Sequence, residues 1–139
     1  MGKSLREKGF DLDKKGPISV QKYIYDMHLL MAAADAIISR AGAITLGEIT
    51  ALGKPAVLIP SPNVTHNHQY YNARSLSDRG GALLLEEPDL SAKRLYEMIL
   101  ELKKDTAKRE AIGRHATELG LPQAAETIYA EIFGLLKKG

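Results

Sequence analysis

The chain predicts an α/β fold, a doubly wound parallel sheet, on three observations. Short apolar runs recur at residues 36–39, 56–59 and 82–85, and each is followed by a segment of helical period. Glycine and proline punctuate the joins at Gly42, Gly53-Lys54-Pro55 and Gly80-Gly81. The runs are almost uniformly apolar instead of alternating, the pattern of strands buried on both faces. Parallel neighbours need crossover helices, and those helices cover both sides of the sheet.

The elements follow in order. SLREKGF, from Ser4, has the character of the last turns of a helix stopped at Gly9, so that residues 1–16 form a charged helix end and linker. After the Gly16-Pro17 breaker, residues 18–24 predict a first strand, and Asp26 is placed to cap a short helix reaching Ala34. Strand 36–39 follows. Residues 45–52 predict a helix with Leu46, Ile49 and Leu52 at intervals of three, ended by Gly53. Strand 56–59 runs into a loop at Pro60, Pro62 and Asn63, and residues 68–78 form the next helix. Strand 82–85 comes next. Leu95, Met98, Ile99 and Leu102 trace one face of a helix from Ser91, another helix runs through Leu119 to Gly120, and a last one starts at Pro122.

At 139 residues, with 45% hydrophobic and 26% charged residues, the chain predicts one domain spanning residues 1–139. A formal charge of +2, from 19 basic and 17 acidic residues spread along the chain, supplies no broad positive field, so nucleic acid is not an expected partner. The absence of cysteine excludes disulfides, thiolate metal sites and a cysteine nucleophile, and the expected compartment is the cytoplasm. No apolar run approaches the roughly 20 residues of a membrane span, and the charged start is unlike a secretory signal.

In a doubly wound sheet ligands settle beyond the carboxyl ends of the strands, so the loops after Ile24, Ser39 and Ile59 should share one rim. Arg40-Ala41-Gly42-Ala43 leads into the start of a helix, where unpaired N–H groups and the helix dipole favour an anion such as phosphate. A plain β–α turn accounts for the same spacing. Thr45 and Glu48 fit a capping box, which explains the glutamate without function, while a carboxylate at this place could equally hold a ribose diol. The polar run Asn63-Val64-Thr65-His66-Asn67-His68-Gln69 offers the two-way hydrogen-bonding groups that sugar hydroxyls need, or is a solvated loop in which Asn67 caps the next helix. A metal held by His66 and His68 lacks both a neighbouring carboxylate and a recognised ligand spacing. Tyr70, Tyr71, His28 and His115 carry no assigned role, and the lysines at 103–104 and 137–138 complement helix ends.

Taken together, YIYDM at 23–27, ADAIISRAGAITLGEITALGKPAVLIPSPN at 34–63 and NHQYYNA at 67–73 resemble the MurG family. That family transfers N-acetylglucosamine from UDP-GlcNAc to the lipid-linked muramyl-pentapeptide of peptidoglycan, on a two-domain GT-B fold. The resemblance runs from about Ser4 onward and implies the Rossmann-like C-terminal donor-binding domain, in part. It implies Ile24 and Met27 beside the uracil, Ala43, Ile44 and Thr45 presenting backbone groups to the pyrophosphate, and Glu48 on the ribose hydroxyls. It implies His68 and Gln69 on the GlcNAc hydroxyls, where the family often has two glutamines, and Asn72 one turn on as support. Arg40 also matches the motif, and a structural ion pair at a strand end explains it as well.

No catalytic residue, metal or cofactor is implied within this chain. The family's Gly-Gly-Ser phosphate loop and its acceptor-binding domain have no counterpart here, which leads to the expectation of an exposed sheet edge that pairs with another copy or another chain. The lipid acceptor would bring the full-length family to the cytoplasmic face of the membrane. Two further readings stand beside donor binding for transfer: a noncatalytic donor-binding or assembly subunit, as in the split eukaryotic dolichol-linked GlcNAc transferase, and a UDP-sugar epimerase, whose extra carboxylates are not evident.

Overall fold

A strand with no polar residue must find cover on both faces, and the middle strand of this protein does. The computed structural model describes residues 17–63, 67–120 and 137. Three strands, β1 (Ile37–Ser39), β2 (Ala56–Leu58) and β3 (Leu83–Leu84), form a parallel sheet in the order β1-β2-β3. Ile37 stands opposite Ala56 and Val57 opposite Leu83. Side chains alternate along β2, so Ala56 and Leu58 enter one core and Val57 and Ile59 the other.

The first core is closed by α1 (Met27–Ala33), α2 (Ala43–Leu52) and α3 (His68–Ser77), through Met31, Leu46, Ile49, Ala73 and Leu76. The second is closed by α4 (Ala92–Lys104) and α5 (Thr106–Leu119), through Met98, Leu102 and Ile112. The sheet is therefore wound on both sides, as the uniform apolar runs predict. The helix ends follow local chemistry. The Ser91 side chain accepts from the Arg94 N–H at 3.1 Å to start α4, and Asp105 accepts from the Lys108 N–H at 2.8 Å to start α5. Gly53 ends α2 in the left-handed region, at φ 61°.

Residues 18–24 correct the sequence reading. They carry no strand, and Ile18 and Tyr23 are 63% and 69% exposed. Apolar residues after a Gly-Pro breaker favour extended backbone, but a strand exists only where a neighbour completes its ladder, and no described strand lies beside this segment. Asp26 does precede α1, yet its backbone carbonyl, not its side chain, takes the first N–H groups of that helix. The helix end expected before Gly9, the 1–16 linker and the helix from Pro122 lie outside the described residues. No helix among the described residues is long and apolar enough to cross a membrane.

Candidate functional site

The carboxyl ends of the three strands set the rim from which the helices carrying most of the predicted site residues start. β1 passes through Arg40 and fully buried Ala41 to Gly42, the N-cap of α2. Gly42 is extended, at φ −67° and ψ 145°, and its carbonyl accepts from the Leu46 N–H at 3.0 Å. The helix thus begins at Ala43, two residues earlier than its apolar period indicates. That shift undoes the expected capping box: Thr45 sits inside the first turn instead of before it, and no side chain caps α2. Glu48 lies exposed further along the same helix, so capping does not account for it.

This start leaves the N–H groups of the first turn without intrahelical partners. Ala43 and Ile44 are exposed, Ile44 by 83%, and Thr45 is half-buried. A side chain added at Gly42 would meet no atom within 4 Å, and none at Gly47 either. The fold does not require glycine at either position. What their bareness does is keep open the space in front of a positive helix end.

The second helix start stands on the next strand. Asn67, the N-cap of α3, is left-handed at φ 52°, a conformation asparagine tolerates, and its side chain makes no capping bond. His68 is exposed and Gln69 half-buried in the first turn, with Asn72 half-buried one turn on. The Gln69 Oε1 accepts from the Ser61 N–H at 2.9 Å. That bond fixes the polarity of the amide and leaves its NH₂ as the donor for anything that docks beside it. Ile24 and Met27 lie in the irregular lead-in and at the first residue of α1; Ile24 is half-buried and Met27 is 44% exposed. The structure joins the α2 residues and the α3 residues on one rim, and it leaves these two at the surface of the lead-in. His66, the proposed metal partner of His68, lies outside the described residues, and no group of three potential ligands stands together among the described ones.

The ion pair at a strand end that the sequence offered for Arg40 is present, but its partner and the cleft beside it escaped the sequence reading. Arg40 Nη1 bonds the Ile59 carbonyl at 3.3 Å and pairs with the Glu87 carboxylate in the 3₁₀ turn Glu87–Asp89 after β3. The hydrogen bond from Arg40 holds the Glu87 carboxyl below the usual carboxylate range, and Glu87 in turn raises the Arg40 guanidinium. A cleft of about 270 Å³ opens beside them, lined by Pro60, Ser61, Asn67, Tyr70 and Glu87 among others. The position of Glu87 just past the end of a strand was the available signal, since Arg40 and Ser61 share it.

The model of the glycosyltransferase family 28 C-terminal domain matches residues 1–128. The chain belongs to this family. Among curated family 28 relatives, a transferase of Desulforamulus reducens is 40% identical over 124 residues, 89% of this chain and 33% of its own length. One of Bacillus cereus, numbered transferase 1, is 46% identical over 121 residues, 87% of this chain and 33% of its own. Both are named UDP-N-acetylglucosamine–N-acetylmuramyl-(pentapeptide) pyrophosphoryl-undecaprenol N-acetylglucosamine transferase. The crystal structure of Acinetobacter baumannii MurG matches with a TM-score of 0.71 at 28% identity, over 84% of this chain and 33% of that one. This family 28 domain therefore spans about a third of the length of the relatives it matches, and its Rossmann-like sheet is that of the C-terminal half of a GT-B glycosyltransferase.

Proposed function

We propose that this domain binds UDP-N-acetylglucosamine and supplies the donor side of N-acetylglucosamine transfer to lipid-linked muramyl-pentapeptide in peptidoglycan synthesis. The observation that carries the reading is the start of α2, uncapped by any side chain and open in front of Gly42, on the same rim as a Gln69 amide already oriented by Ser61. The N–H groups of Ala43, Ile44 and Thr45 take the pyrophosphate, and Glu48 takes the ribose hydroxyls. His68, Gln69 and Asn72 read the sugar, and Ile24 and Met27 border the uracil. The names of the relatives support the choice of donor.

In the transfer, an acceptor hydroxyl oxygen forms a bond to the anomeric carbon as the bond from that carbon to the phosphate oxygen breaks. The charge that develops on the departing UDP falls where the dipole and free N–H groups of α2 are already aimed. The acceptor hydroxyl and the base that takes its proton come from outside this domain. In one arrangement a partner chain carrying the acceptor site serves as the other half; in another, a second copy seats on the outer edge of β1, where Ile38 is 44% exposed, and covers that edge without supplying an acceptor site. In the first arrangement the chain works as a donor-binding subunit at the cytoplasmic face of the membrane, reaching the lipid only through its acceptor.

Calorimetric titration of the 139-residue chain with UDP-GlcNAc, UDP and UDP-GalNAc tests the reading, and heat with UDP-GlcNAc is expected. Glu48→Ala should weaken binding of both UDP and UDP-GlcNAc by about tenfold or more, the usual scale for a hydrogen bond to a charged group. Absence of heat with all three ligands would overturn the donor site. Native mass measurement separates a self-paired chain from a monomer awaiting a partner.

A further inference from the structure

Arg40 ties together the carboxyl ends of all three strands. It follows β1, bonds the carbonyl of Ile59 at the end of β2, and pairs with Glu87 just beyond β3. On one side its backbone leads through buried Ala41 to Gly42 and the start of α2. On the other, the Ile59 carbonyl is followed by Pro60, buried and fixed in φ, and then by Ser61, whose N–H holds Gln69. A continuous chain of contacts thus links the helix start to the amide on α3.

The pair is a poor candidate for a stabilising feature. Its side chains are 51% and 39% exposed, and exposed ion pairs contribute little to stability. What it does have is reach, since the partners stand 47 residues apart and on different elements. We propose that the Arg40–Glu87 bridge is a positioning device that sets Gln69 relative to the start of α2, and thereby the preference for a sugar nucleotide over the bare nucleoside diphosphate. The inference rests on the donor-site reading above. Without Glu87 the guanidinium keeps the Ile59 carbonyl but is free to turn about it, and the loop that presents Ser61 is held less firmly. The nucleotide contacts on α2 stay as they are. The sugar contacts, which depend on the spacing between α2 and α3, do not.

The test is calorimetric titration of the full chain with UDP-GlcNAc and with UDP, for the wild type, Arg40→Ala, Arg40→Lys, Glu87→Gln and the Arg40→Ala/Glu87→Gln double variant, with thermal melts alongside. The expected result is that each of Arg40→Ala and Glu87→Gln lowers the ratio of UDP-GlcNAc to UDP affinity about fivefold, the scale of one hydrogen bond, and leaves UDP affinity within about twofold. The double variant should fall no lower than the worse single one, because both remove one bridge. Arg40→Lys should recover part of the ratio. Glu87→Gln, nearly isosteric and at the surface, keeps the test valid if Arg40→Ala does not fold. Unchanged ratios, equal losses for the two ligands, or additive losses in the double variant would overturn the bridge while leaving the donor site standing. No heat in the wild type would overturn the donor site, and the inference with it.

Discussion

Replacing Gly53 with alanine probes the contact that holds α2 against α5, and with it the element that presents the site. Gly53 sits at φ 61°, where an L side chain costs about 1–2 kcal/mol. Its new Cβ would stand 2.4 Å from the Thr117 Oγ1 and 3.3 Å from the Gly113 carbonyl. The threonine cannot turn away freely, because its hydroxyl donates to that same carbonyl at 3.0 Å, a bond worth about 1 kcal/mol. Reduced freedom of the unfolded chain returns roughly 0.4–1 kcal/mol. The net expectation is a loss of about 2 kcal/mol, or roughly 7 °C in melting temperature for a domain of this size. Urea unfolding followed by circular dichroism measures it. In a Thr117→Ala background the same substitution should cost about half as much, because the blocking hydroxyl is gone and only the backbone strain remains. Affinity for UDP per folded molecule should not change, since the 10-residue helix puts its other end about 15 Å away. A loss below about 0.5 kcal/mol, or the same loss in both backgrounds, would refute the packing argument.

Leu58, fully buried in the central strand, should cost about 2–5 kcal/mol when cut to alanine, read as a lower urea midpoint. Acid should act through Glu87. Because its folded-state pKa lies below the unfolded one, the folded protein binds fewer protons in that interval and stability rises with pH. The contribution is complete above the ordinary glutamate value of about 4.3 and is lost as pH falls through the depressed one. Because the pair is exposed, Glu87→Gln should reduce the slope at the acid end of a stability–pH profile only slightly and leave its slope near neutrality alone; an altered slope at pH 6–8 would contradict the assignment.

Much of the fold was legible because the strands announce their burial. Residues 56–59 contain no polar group, and a run of that kind is stable only between two covered faces, which is where the structure puts it. Gly53 and Ser91 marked helix ends by local chemistry that needs no distant partner, whereas the cap at Asp105 was not read from the sequence. Residues 18–24 misled for the opposite reason: their composition and the breaker before them are local, but the hydrogen bonds that make a strand belong to its neighbour. The start of α2 was placed late because Gly42 caps it with backbone alone and leaves no side-chain signal, and Thr45 and Glu48 offered a plausible but false one.

The candidate site divides along the same line. Residue types and order alone determined that a helix start and a run of sugar-competent side chains follow consecutive strands, and this was enough to bring out the family resemblance. Only the tertiary structure decided that Glu48 is released from capping, that the Gln69 oxygen is taken by the Ser61 N–H so that its NH₂ is left as a donor, and that Arg40 and Glu87 join across 47 residues. The physical reason is separation: helix periods and caps are encoded within a few residues of themselves, whereas the polarity of an amide and the partner of a guanidinium exist only once the strands have brought distant loops to one rim.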